Sequence, residues 1–227
     1  MQFPEGSRAS RYLALLEFTL VVALFIADAH HLIPVSKTPE LVLLGWISLR
    51  LRHLKWRDVG LARKRPILQA IALGVAGGIA IELIELYVSQ PLLVRLTHHA
   101  PDLSDFNQLR GNFNIMLLAL ALTWTLAAFG EEMAWRGWLM NRVAGLGGKS
   151  RTAWIISLLL VNAAFGMAHS YQGITGILDE GFMGLLLGLM YLFAGEDLWI
   201  PIVAHGVQDS IDTLLLYSGH YPFPGLK

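Results

Sequence analysis

Long apolar stretches, one after another and joined by short polar links, leave this chain few ways to fold in water. About 20 consecutive apolar residues cross a bilayer as a helix. Stretches of that order recur at residues 12–33, 66–91, 113–143, 152–169, 177–194 and 198–217. Residues 39–51 are apolar but short, and read as a short or re-entrant helix. In hydrocarbon every backbone polar group must be satisfied within the chain, so these stretches are expected to be helical. The predicted fold is all-α, a polytopic transmembrane helix bundle of about seven (six to eight) membrane segments around a polar intramembrane cavity. One integral-membrane domain accounts for residues 1–227, with no internal repeat and no soluble domain. Only 15% of the residues are charged, against about a quarter in soluble domains.

Charge and cysteine content remove several classes of function. Formal net charge is zero, so nothing suggests a nucleic-acid partner, and the apolar segments make membrane lipid the expected surround. The chain has no cysteine, hence no disulfide, thiolate metal site, cysteine nucleophile or cysteine lipidation. Ala27-Asp28-Ala29 after the first apolar stretch mimics a signal-peptide cleavage site, but Glu17 inside that stretch argues against one. Basic residues gather at Arg50–Arg65 and again at Arg142, Lys149 and Arg151. By the positive-inside rule both loops are cytoplasmic, and with seven spans the N-terminus, preceded into the membrane by Arg8 and Arg11, is cytoplasmic too. The segment GVAGGIA in the third stretch suits close helix packing.

Three polar clusters interrupt the apolar segments, and ionisable residues at membrane depth are usually paired or functional. In GEEMAWRGWL, Glu132 and Arg136 stand four apart in the favoured acid-first order, which predicts a structural ion pair. Glu131 points about 100° away around the helix and is the carboxylate left over, suited to act as a general base. In VNAAFGMAHS, Asn162, Phe165 and His169 fall on one helical stripe, with Phe165 placed to fix the imidazole; alone, an interfacial histidine bonded to a backbone carbonyl explains it as well. In LWIPIVAHGVQDS, His205 and Asp209 are four apart, with Asp212 one turn further. Such a pair orients an imidazole, ligates a metal, relays protons or simply satisfies itself.

The ordered trio EE-x-x-x-R, F-x-x-x-H and H-x-x-x-(N/D) resembles the CAAX-protease and bacteriocin-processing family of intramembrane endopeptidases, also called the Abi family. Neighbouring residues extend the similarity: Trp135, Gly137 and Leu139, Gly166, Leu198-Trp199-Ile200-Pro201, and the basic WRDVGL at Trp56–Leu61. The similarity spans a catalytic core of about residues 113–217. It implies a peptidase acting on a peptide or protein in an integral-membrane setting of bacterial inner-membrane type, where Glu131 and His169 activate a water, Glu132 and Arg136 hold the helix, and His205 and Asp209 face the oxyanion. Family members acting on prenylated C-terminal motifs cleave after an isoprenylated cysteine, and bacterial members are tied to leader-peptide processing and immunity. Asp209 stands where many members have asparagine, so the expectation is that it orients His205, which alone donates to the oxyanion.

Zinc is chemically possible, with Glu131, His169, His205 and Asp209 as ligands, but HExxH is absent and a metal-free, glutamate-type reaction is favoured. Two rivals belong to other classes: a proton- or ion-coupled transporter component using Glu82 and Glu85, and a catalytically silent immunity or scaffold protein of the same fold. The expected partner of Glu82 and Glu85 is a neighbouring cation. At about 1.5 Å per residue, Glu131 and His169 lie roughly 18 and 25 Å from their cytoplasmic helix ends, but His205 lies only about 10 Å from Leu198. For all three to meet, the Gly195–Asp197 loop must dip inward or its helix must tilt.

Overall fold

The computed structural model describes residues 8–30, 32–33 and 36–222. Residues 1–7 and the side chains of Arg8 and Arg11, on which part of the predicted orientation rests, lie outside that description. Every predicted segment is helical, and no strand occurs among the described residues. In chain order the helices are α1 (Arg8–Ala29), α2 (Thr38–Leu51), α3 (Ile67–Ile84), α4 (Gln90–Thr97), α5 (Phe113–Leu122), α6 (Asn141–Leu146), α7 (Arg151–Met167), α8 (Gly173–Phe193) and α9 (Trp199–Ser218). A π-helical turn, Glu85–Ser89, joins α3 to α4, and two π-helical segments, Thr123–Glu131 and Met133–Met140, join α5 to α6.

Among the described residues, four helical stretches are long and apolar enough to cross a membrane: Tyr12–Ala29, Ile67–Thr97, Phe113–Leu146 and Ser170–Phe193. The other predicted segments are helices that fall short of that measure. Helix α2 has 14 residues, about 21 Å, and α7 has 17. Helix α9 has 20 residues but carries His205, Asp209 and Asp212. The bundle turns apolar side chains outward, with Leu68 at 77% and Phe193 at 83% exposure, and encloses Glu82, Glu132, Arg136 and Asp179. This inversion is what a hydrocarbon surround selects, because charged groups are stable there only when shielded by protein.

Small residues set the closest helix contact. A Cβ added at Gly78 of α3 would lie 2.4 Å from the Ala204 carbonyl of α9, and one at Gly74 would lie 2.5 Å from Val203. The GVAGGIA segment therefore does what its composition predicts, bringing two backbones together. Glu17 also gains its explanation: it accepts from Arg52 Nη1 at 2.5 Å and from Arg142 Nε at 3.2 Å. Two of the basic residues flanking separate spans thus converge on one buried carboxylate of α1.

The loop before α9 resolves the depth problem. Asp197 and Leu198 are fully buried. Leu198 N donates to Gly60 O at 2.9 Å, Trp199 Nε1 donates to Leu61 O at 3.0 Å, and Lys64 N donates to Asp197 Oδ2 at 3.3 Å. The WRDVGL segment thus lies over the start of α9, which begins inside the protein. Gly60 adopts φ +115 there, and a Cβ would lie 2.7 Å from the Glu196 carbonyl.

Candidate active site

The adjacent glutamates part company. Glu132 is fully buried on the helix running through the centre of the bundle, and its Oε1 accepts from Arg136 Nη1 at 2.7 Å. Arg136, equally buried, donates through Nη2 to Asn162 Oδ1 at 3.1 Å and to Gly184 O at 2.7 Å. Its guanidinium lies 4.8 Å from the centroid of Phe165. Gly184 leaves room for this: a Cβ there would stand 3.0 Å from Asn162 Oδ1 and 3.1 Å from Arg136 Nη2. The ion pair predicted from spacing is present, and Asn162 belongs to its setting. Glu131, by contrast, is half-buried and accepts from Thr38 Oγ1 at 3.3 Å.

Glu131 ends one segment in which hydrogen bonds close from i to i+5, and Glu132 joins it to the next, a wider turn than the α-helix assumed from the sequence. Such π turns occur preferentially at functional sites.

His169 lies just beyond α7, its Nδ1 2.9 Å from Phe165 O. A carbonyl only accepts, so Nδ1 carries a proton, and in the neutral ring Nε2 is the nitrogen with the lone pair. Phe165 also sits 4.8 Å from the His169 ring at 53°, and 6.4 Å from the His205 ring at 79°. It is tilted against the imidazole rather than stacked flat, and edge-on packing with Trp135 at 5.3 Å holds it in place.

His205 differs from expectation. The i, i+4 spacing gives its orientation to Asp209, but Asp209 Oδ2 is 3.5 Å from Nε2 while Glu132 Oε1 is 2.9 Å from Nδ1. The orienting carboxylate is Glu132, brought to α9 by packing, and Asp209 faces the other nitrogen at longer range. Glu132 Oε1 therefore serves both Arg136 and His205.

Glu131, His169, His205 and Asp209 line one cavity of about 340 Å³, within the range of small-molecule sites; Glu132, Arg136, Phe165 and Asn162 lie behind its wall. The cavity has further polar residues that sequence reasoning passed over: Glu180, Tyr171 and Gln172. Gln172 Nε2 donates to Glu180 Oε1 and to Tyr171 Oη, each at 3.1 Å. The signal for Glu180 was present as Asp179-Glu180 inside the apolar run ILDEGFMG.

Among the described residues, three carboxylate or imidazole donor atoms come within 4.8 Å of one another in Glu82, Glu85 and Asp212. Glu131, His169, His205 and Asp209 do not draw together in that way. Nor do Glu82 and Glu85 find the expected cation: Glu85 accepts from Gln90 Nε2 at 2.8 Å and Gln208 Nε2 at 2.5 Å, and neither glutamate forms an ion pair among the described residues.

Residues 113–211 match the family model described as type II CAAX prenyl endopeptidase, Rce1-like. That stretch holds all three motifs, and the match agrees with the family resemblance they carry. No curated protein and no solved structure matches the chain.

Proposed function

From the likeness of residues 113–211 to the Rce1-like type II CAAX prenyl endopeptidase family model, we propose that the chain hydrolyses a peptide bond of a membrane-associated substrate, using a water activated by Glu131 and His169. One observation carries this reading. Four candidate residues from three separate apolar segments share the wall of a single cavity, whereas the neighbouring Glu132 and Arg136 are sealed in the core.

The chemistry follows from donor and acceptor roles. Thr38 donates to Glu131, fixing its carboxylate, and His169 presents a bare Nε2. A water between these two acceptors donates both protons and directs a lone pair at the scissile carbonyl. Glu131 takes the proton as the C–O bond forms, and the same proton passes to the departing amine as the C–N bond breaks. His205 already donates to Glu132 through Nδ1, so it meets the oxyanion as a donor from Nε2 in its doubly protonated form. Asp209, an acceptor when ionised, supports that proton from beside the oxyanion site.

A metal-free reaction is supported by the chain's lack of HExxH and by the separation of the candidate zinc ligands. The preferred substrate is a prenylated C-terminal peptide, with a leader peptide as the alternative leaving sequence. Arg52 and Arg142 mark the cytoplasmic end of the bundle in this reading, which puts the N-terminus in the cytoplasm and the protein in a bacterial-type inner membrane.

The test is cleavage of a farnesylated CAAX-type peptide by the purified protein in liposomes, read by mass spectrometry. Wild type is expected to release the C-terminal fragment and Glu131→Gln is expected to release none. Equal turnover by both removes Glu131 from the reaction.

A further inference from the structure

Three carboxylates that the proposed hydrolysis does not use meet where α3 packs on α9. Glu82 closes α3, Glu85 opens the π turn that follows, and Asp212 lies on α9. Their ligand atoms lie within 4.8 Å of one another. Glu82 is 2% exposed and Glu85 6%. Glu82 and Asp212 face one another within hydrogen-bond reach, and no other described residue donates to either Glu82 oxygen or to Asp212 Oδ1. The two glutamines that donate to Glu85 leave their own amide oxygens, Gln90 Oε1 and Gln208 Oε1, buried and unbonded. Among the described residues no Lys, Arg or His forms an ion pair with any of the three acids.

Like charges this close repel, and each buried ion without a partner costs several kcal/mol; Glu85 and Asp212 also border the cavity that holds Glu131 and His169. Such a group persists when it holds a cation or shares protons. The donors are all oxygens, which selects a hard cation over zinc or copper. Ca²⁺ takes about six to eight oxygen ligands in a flexible geometry and accepts a cage of carboxylates and amide oxygens, whereas Mg²⁺ demands a near-ideal octahedron and keeps several of its waters. We propose that Glu82, Glu85 and Asp212 bind a hard divalent cation of calcium size, which ties α3 to α9. Because α9 also carries His205 and Asp209, the ion would fix the depth of that helix. The site adjoins the candidate active-site cavity, and ion binding and thermal unfolding read it without reference to cleavage.

The full chain, purified in detergent and freed of divalent ions with EGTA, is titrated with Ca²⁺ alone. Bound ion is counted by equilibrium dialysis, and thermal unfolding is followed in parallel. One Ca²⁺ per chain and a saturable rise in the unfolding midpoint are expected. Glu82→Gln and Asp212→Asn should each lose both, while Asp102→Asn, an exposed loop change, should keep both. If the variants do not fold, wild-type dialysis decides. No bound Ca²⁺ at millimolar concentration leaves shared protons as the explanation and overturns the proposal. Undiminished binding by Glu82→Gln, or an equal rise with Mg²⁺ or Na⁺, overturns it as well.

Discussion

Neutralising one of two adjacent glutamates should stop the reaction, and neutralising the other should unfold the protein. Glu132 is fully buried and its Oε1 serves both Arg136 Nη1 at 2.7 Å and His205 Nδ1 at 2.9 Å. Glu132→Gln leaves a fully buried guanidinium facing only neutral oxygens, those of Asn162, Gly184 and the new amide. Breaking a buried pair by removing one charge costs about 3–5 kcal/mol. Glu131 borders the cavity and makes one 3.3 Å hydrogen bond with Thr38. Its replacement by glutamine keeps an acceptor there and costs about 0–1 kcal/mol. At roughly 2–4 °C per kcal/mol for a chain of this length, the midpoint of Glu132→Gln should fall by about 6–20 °C and that of Glu131→Gln by a few degrees at most. Tryptophan fluorescence during heating in detergent reads both, since Trp135 and Trp138 are buried on either side of Arg136. Among folded molecules the cleavage assay should find Glu131→Gln inactive and Glu132→Gln weakened, because its amide no longer carries the charge that holds His205 Nδ1. Equal midpoints for the two variants would refute the division between a sealed ion pair and an open base.

His169→Ala should match the loss of cleavage in Glu131→Gln while keeping a near-parental unfolding midpoint; a variant retaining wild-type turnover removes the imidazole from water activation. Asp209→Asn should fold and keep measurable cleavage, because Glu132 rather than Asp209 holds His205; complete inactivity with loss of a bound zinc ion, measured by elemental analysis, would make Asp209 a ligand instead. A zinc chelator such as 1,10-phenanthroline should leave cleavage unchanged, and loss restored by added zinc would reverse the metal-free reading. Gly78→Ala places a methyl 2.4 Å from the Ala204 carbonyl, and overpacking of that kind costs about 1–3 kcal/mol; an unchanged unfolding midpoint would mean that α3 and α9 do not meet there.

The sequence alone determined the features that depend on local period and composition. Apolar stretches became helices because hydrocarbon leaves the backbone no other partner. The Glu132–Arg136 pair was legible because residues four apart share a helix face, and the GVAGGIA contact was legible because small residues permit close approach. The ordered motifs also marked Glu131, His169, His205 and Asp209, which share the cavity, but not Glu180, Tyr171 or Gln172 beside them. Tertiary structure decided whatever depends on residues distant in the chain. His205 lies 73 residues from Glu132, so no helical period could reveal that this carboxylate, rather than the neighbouring Asp209, holds its ring. The union of Arg52 and Arg142 on Glu17, the WRDVGL segment covering the start of α9, and the meeting of Glu82 and Glu85 with Asp212 are likewise products of packing. Spacing along one helix fixes which side chains share a face; which face meets which is decided by the fit of whole helices, and that fit places the charges.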